Sequence, residues 1–136
     1  MATRTFTIEE ANRVLPEVRA LAAHLAELLS RLPELQEAVA TADYRRRRPG
    51  AERDGDLPEE AYQAARAAVV DAEAGLAATL SELDALGIQI KDPIAGLLDF
   101  PSLRDGELVE LCWMLGEGSI LHWHRIGEGF AGRKPI

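Results

Sequence analysis

Apolar residues recur at alternating steps of three and four from Ile8 through Ala11, Leu15, Val18, Ala22, Leu25 and Leu29 to Leu32. That spacing lays one stripe along a helix with a heptad period. Ahead of it, Thr7-Ile8-Glu9-Glu10 has the form of a capping box, in which the Thr7 hydroxyl and the Glu10 carboxylate each accept from the other's backbone N–H. Pro16 and Pro33 fall inside the stripe. Each removes a backbone donor and crowds the preceding turn, which predicts a kink at Pro16 and a kink or short break at Pro33. Residues 44–57 (YRRRRPGAERDGDL) are polar and aperiodic, and predict a loop. A second stripe follows Pro58: Tyr62, Ala65, Val69, Ala72, Leu76, Leu80, Leu83 and Leu86, with Gly87 as its stop. Two stripes of similar length predict an antiparallel helical hairpin over about 7–86, with alanines letting the axes approach closely.

After Gly87 the apolar period shifts from about 3.6 to 2, which marks a sheet. Short strands are expected at 88–90, 96–103, 107–115 and 120–126, with Asp105-Gly106 as a two-residue hairpin turn. The glycine-rich tail, 127–136, is expected to be irregular. The fold class is therefore α+β: a long proline-kinked hairpin, then a small antiparallel sheet of three to four strands, in one domain over 1–136.

The register of that sheet gathers chemistry. Val109, Leu111, Trp113 and Leu115 share one face of the third strand, and Leu121 and Trp123 one face of the fourth. Uniting the apolar faces pairs Cys112 with His122 and Glu110 with His124, because a one-residue slip would put Trp113 beside the histidines. The two-residue turn pairs Arg104 with Glu107, Phe100 with Leu111, and Asp99 with Cys112. The result is a row Asp99–Cys112–His122 flanked by Glu110 and His124, with opposed side chains about 5 Å apart at Cβ. Carboxylate, thiolate and imidazole together suit a divalent metal such as zinc or iron. A Cys112–His122 pair with Asp99 also has the form of an activated nucleophile, although a mid-strand cysteine lacks a helix N-terminus to lower its pKa. The competing explanation is a solvated sheet face, which is polar without any function.

Other residues bear on the same question. Glu117 lies in a glycine-flanked turn from which it could reach a pocket. Residues 127–133 (GEGFAGR) could wrap an anion with backbone amides and Arg133, and Lys91 stands near the sheet edge as a second cation for a ligand. The four arginines at 45–48 are expected to be a solvated loop tip.

Composition narrows the partners. The net charge of −8 argues against nucleic acid and anionic lipid. No apolar run approaches the roughly 20 residues that cross a bilayer, and no signal peptide is recognised at the start. The single cysteine excludes an internal disulfide framework, so a reducing cytoplasm is the expected location. The heptad stripes raise a homodimer as the expected assembly.

The chain resembles an uncharacterised bacterial family, domain of unknown function 2203. The resemblance is carried by Phe6-Thr7-Ile8-Glu9-Glu10-Ala11-Asn12 with Leu15-Pro16, and by Lys91-Asp92, Gly96-Leu97-Leu98-Asp99-Phe100-Pro101, Leu111-Cys112-Trp113, Leu115-Gly116-Glu117, Trp123-His124 and Gly129-Phe130-Ala131-Gly132-Arg133, in that order. It implies no activity. It does imply that Asp99, Cys112, Glu117, His124 and Arg133 fall on positions of the family's pattern, whereas His122 stands where an aromatic residue is more frequent. Two classes of function follow as expectations. One is a cytoplasmic binding or adaptor module that self-associates through its helices and carries a polar ligand site on the sheet. The other is a metal- or cysteine-dependent enzyme centred on Asp99, Cys112, Glu117 and His124.

Overall fold

A computed structural model describes residues 4–136. Two long helices, α1 (Ile8–Arg47) and α2 (Leu57–Ala85), flank a short 3-10 turn at Ala51–Asp54. They precede the strands β1 (Gln89–Asp92), β2 (Leu97–Arg104), β3 (Glu107–Met114), β4 (His122–Arg125) and β5 (Lys134–Pro135), which form one antiparallel sheet in chain order. The chain divides into two compact units, one comprising the residues up to Ala26 with Thr79–Ile136, the other Glu27–Ala78.

In the first unit the capping box forms as its sequence requires: the Thr7 N–H donates to Glu10 Oε1 at 3.3 Å and the Glu10 N–H to Thr7 Oγ1 at 3.1 Å. Ala11, Leu15, Val18, Ala22 and Leu25 are buried along the first half of α1. They share a core with Leu98, Phe100, Val109, Leu111, Trp113 and Trp123, the apolar face of β2, β3 and β4. Phe6 meets Phe100 edge-on at 5.5 Å, and the Arg19 guanidinium lies 5.7 Å from the Trp113 ring. α2 ends in a Schellman motif: the Gly87 N–H donates to Asp84 O and the Ile88 N–H to Leu83 O, with Gly87 at φ 84°. Ile88 is thereby spent on the cap and the core, so β1 begins one residue later than its alternation suggests.

The second unit, Glu27–Ala78, is an antiparallel helical hairpin. The Arg46 guanidinium stacks 3.5 Å from the Tyr62 ring and bonds Glu59 at 3.1 Å. Nearer its other end, Leu28 Cδ1 would lie 3.1 Å from a Cβ at position 75, so Gly75 is the residue that lets the helices approach there.

α1 runs as one helix through Pro16 and Pro33, so Pro33 does not break it: each proline removes one bond from a 40-residue helix whose neighbouring turns keep theirs. Three expectations change. The arginines at 45–47 belong to α1 rather than to a loop. Cations suit a helix C-terminus, and Asp43 binds both Arg46 and Arg47, at 2.9 and 3.1 Å. The tail is not irregular throughout. Lys134–Pro135 adds a fifth strand beside β4, and the Ile136 N–H donates to Leu121 O at 2.9 Å. β4 itself is shorter than the expected 120–126, because the Ile120 N–H is taken by Asn12 Oδ1 at 2.7 Å.

Candidate functional site

The turn at Asp105-Gly106, with both residues at positive φ (52° and 79°), fixes β2 against β3. Arg104 faces Glu107, Phe100 faces Leu111, and Asp99 faces Cys112. Across the next pair Glu110 faces His124 and Cys112 faces His122. The register derived from burial is the register observed.

That polar face is not solvated. Asp99, Glu110, Cys112 and His124 are all at most 4% exposed. The cover comes from the tail. Gly127, Gly129 and Phe130 join Lys91, Leu97 and the carboxylates around a cavity of about 250 Å³. Gly127 and Gly129 stand at φ 89° and 67°, so the chain reverses over the sheet at positions that side chains rarely adopt.

One ligand atom each from Asp99, Cys112 and His124 lies within 4.8 Å of the others. The His124 ring is held at both nitrogens. Nδ1 lies 2.8 Å from the Arg125 carbonyl oxygen, which can only accept, so Nδ1 carries a proton. Nε2 then lies 3.1 and 3.2 Å from the two Asp99 carboxylate oxygens. A neutral ring in this tautomer would direct a lone pair at two acceptors, which is repulsive. Either a second proton or a cation is required there. Glu110 sharpens the imbalance: its buried Oε2 has no hydrogen-bond partner, and Lys91 Nζ stands 3.8 Å away, close enough for attraction but not for a bond. Burial, and then the neighbouring Asp99 charge, raise the Glu110 pKa. The same two causes push the Cys112 thiol from 9.0 up to about 11. The pocket thus holds acceptors in excess of donors.

Glu117 and Arg133, each read as a possible site residue, are brought together and used on each other. Arg133 forks onto Glu117 at 2.9 and 2.6 Å, and Glu117 Oε1 also accepts from the Met114 N–H at 2.8 Å. Arg133 holds the Glu117 carboxyl below its ordinary pKa. This clamp ties the tail to the end of β3. The guanidinium also approaches Cys112 Sγ at 4.0 Å, where its charge partly offsets the rise in the thiol's pKa. His122 shares the face but faces Pro135 on β5, is half-buried, and stands outside the Asp99–Cys112–His124 group. The tail supplies the cavity wall that a ligand site on this face requires, through Gly127, Gly129 and Phe130, whereas nothing in the sequence pointed to the Arg125 carbonyl as the group that orients His124. Only the glycine spacing at 127 and 129 signalled a tight reversal. No described helix is long and apolar enough to cross a membrane.

A family model described as "Uncharacterized conserved protein (DUF2203)" matches residues 4–136, and the chain belongs to that family. Neither a curated protein nor a solved structure matches it significantly.

Proposed function

We propose that this member of DUF2203 binds one divalent transition metal, zinc or iron, through Asp99, Cys112 and His124, and offers it to a small ligand in the cavity beside Glu110. The observation that carries the reading is the His124 ring. Its Nδ1 proton is fixed by the Arg125 carbonyl, so Nε2 is turned as a lone pair toward the Asp99 oxygens. Orientation of a ligating imidazole by a backbone carbonyl is the usual arrangement around protein-bound metals. Mixed S, N and O donors match the borderline character of Zn²⁺ and Fe²⁺. A cation also removes the excess of acceptors and would lower the Cys112 pKa from its raised value, since a coordinating thiol loses its proton.

Three protein ligands leave a further coordination position, the pattern of metal sites that act on a bound molecule. Glu110 stands at the cavity with a free carboxylate oxygen and a raised pKa, the properties of a proton acceptor for whatever binds there. Lys91 at the rim favours a ligand with negative charge or carbonyl oxygens. A thiolate ligand needs reducing surroundings, and we place the protein in the cytoplasm on that ground.

One observation favours a second reading. Both Asp99 oxygens stand at hydrogen-bond distance from Nε2, the spacing of an imidazolium–carboxylate pair. In that case the site is a metal-free polar pocket of a binding module, and Cys112 stays a protonated thiol. Cobalt(II) separates the two. Loading the chelator-treated protein with Co²⁺ is expected to give an intense near-ultraviolet thiolate-to-metal band and the visible bands of low coordination number. Both should vanish in Cys112→Ser, while His124→Ala should weaken the visible bands. A spectrum equal to Co²⁺ in buffer, with circular dichroism unchanged, establishes the metal-free pocket instead.

A further inference from the structure

The hairpin unit is short of core. Among Glu27–Ala78 only Leu28, Ala42, Ala51 and Ala72 are buried apolar residues, and three of the four are alanine. A pair of helices cannot close a core by itself, because each buries one face against a single neighbour. Alongside lies an open groove of about 620 Å³ floored by Ala38, Thr41, Ala42, Leu57, Ala61 and Ala65, with Leu57 69% exposed. Small residues on both helices leave room for another helix to come near.

The charges beside this groove carry a pattern. Glu34, Glu37, Thr41, Arg45 and Arg48 all line it. They are separated by three, four, four and three residues, so they share one face of α1 and its C-terminal end. The spacing is a palindrome about Thr41, with two acids on one side and two arginines on the other. Glu34, Glu37 and Arg45 make no ion pair among the described residues, whereas Arg48 reaches Asp54 at 3.1 Å.

We propose that the occupant of this groove is a second copy of the chain, related by a two-fold axis through Thr41. A two-fold interface is self-complementary, so residue i meets residue j and j meets i. With the axis at Thr41, Glu37 of one copy faces Arg45 of the other and Glu34 faces Arg48, each contact occurring twice. The antiparallel α1 helices, each with its own α2, make a four-helix bundle that covers the alanine floor and Leu57. Acidic and basic halves of one face exclude the parallel arrangement, which would set like charge against like. The small floor residues supply close packing, and the charges supply register.

Sedimentation of the full chain tests this. The wild type is expected to run at twice its chain mass. Glu37→Arg and Arg45→Glu change exposed positions, and each replaces two attractive contacts by two repulsive ones. Each should weaken the dimer by roughly tenfold or more. An equimolar mixture of the two variants should restore it as a heterodimer, since every cross-contact is then opposite in sign, and the doubly swapped chain should dimerise by itself. Circular dichroism of each variant should match the wild type. A wild type that stays monomeric up to about 100 μM, outside the range of a specific homodimer, overturns the proposal. So does a dimer that both single reversals leave intact, or a mixture that fails to recombine.

Discussion

Replacing Cys112 by alanine should remove a definite piece of the protein's pH dependence. The thiol is 1% exposed, faces Asp99 across the strand pair, and titrates at about 11 against an ordinary 9.0. The folded state therefore holds this proton more tightly than the unfolded state does. Where the folded chain binds more protons, stability falls as pH rises. The loss begins near the unfolded pKa of 9.0 and is complete above the folded value. Two pKa units correspond to about 2.7 kcal/mol, of which roughly 2 kcal/mol should be gone by about pH 10.5. Other groups titrate in the same window, so the quantity to follow is the difference between wild type and Cys112→Ala. Urea unfolding of both proteins between about pH 8 and 10.5, with reductant and chelator present, gives that difference directly. Cavity formation lowers the variant's stability by a constant amount at every pH. The gap between the two curves should therefore narrow by about 2 kcal/mol with rising pH. Parallel curves would show that the thiol feels neither the burial nor the Asp99 charge assigned to it.

Glu110→Gln tests the same pocket from its other side. The raised Glu110 pKa means that folded protein resists ionisation there, so wild-type stability contains a term that declines as pH climbs from the ordinary carboxylate range through the folded pKa. The chelator-treated variant should lack that decline and gain on the wild type in urea unfolding as pH rises above the ordinary carboxylate range, while still binding Co²⁺. Gly96→Ala should be costly for a different reason. Its φ is 73°, and a Cβ would fall 2.5 Å from Leu115 Cβ, so strain and overlap together should remove about 3 kcal/mol in the same assay.

Much of this site could be read from residue order because two strong local rules coincide in it. Asp105-Gly106 demands a two-residue turn, and that turn alone sets Asp99 opposite Cys112. Trp113 and Trp123 must both reach the core, which sets Glu110 opposite His124. The failures have equally particular causes. Whether the polar face is wet or buried depends on the tail, whose glycines carry no period and whose single aromatic, Phe130, gives no direction. β5 was invisible because Lys134–Pro135 is too short to alternate. His122 has the right register, but being opposite Cys112 is not the same as pointing at it, and the distances single out His124. The arginines at 45–47 looked like a loop by composition, while Asp43 and the helix end favour their helical placement.

The most direct test of the proposed metal centre is elemental analysis of the untagged protein, purified without chelator, beside Cys112→Ser and His124→Ala. Near-stoichiometric zinc or iron in the wild type, lost from both folded variants, is the result this account predicts. A wild type that is folded, metal-free and unable to take up zinc or iron when they are supplied would contradict it, and would leave His124 and Asp99 as a buried ion pair.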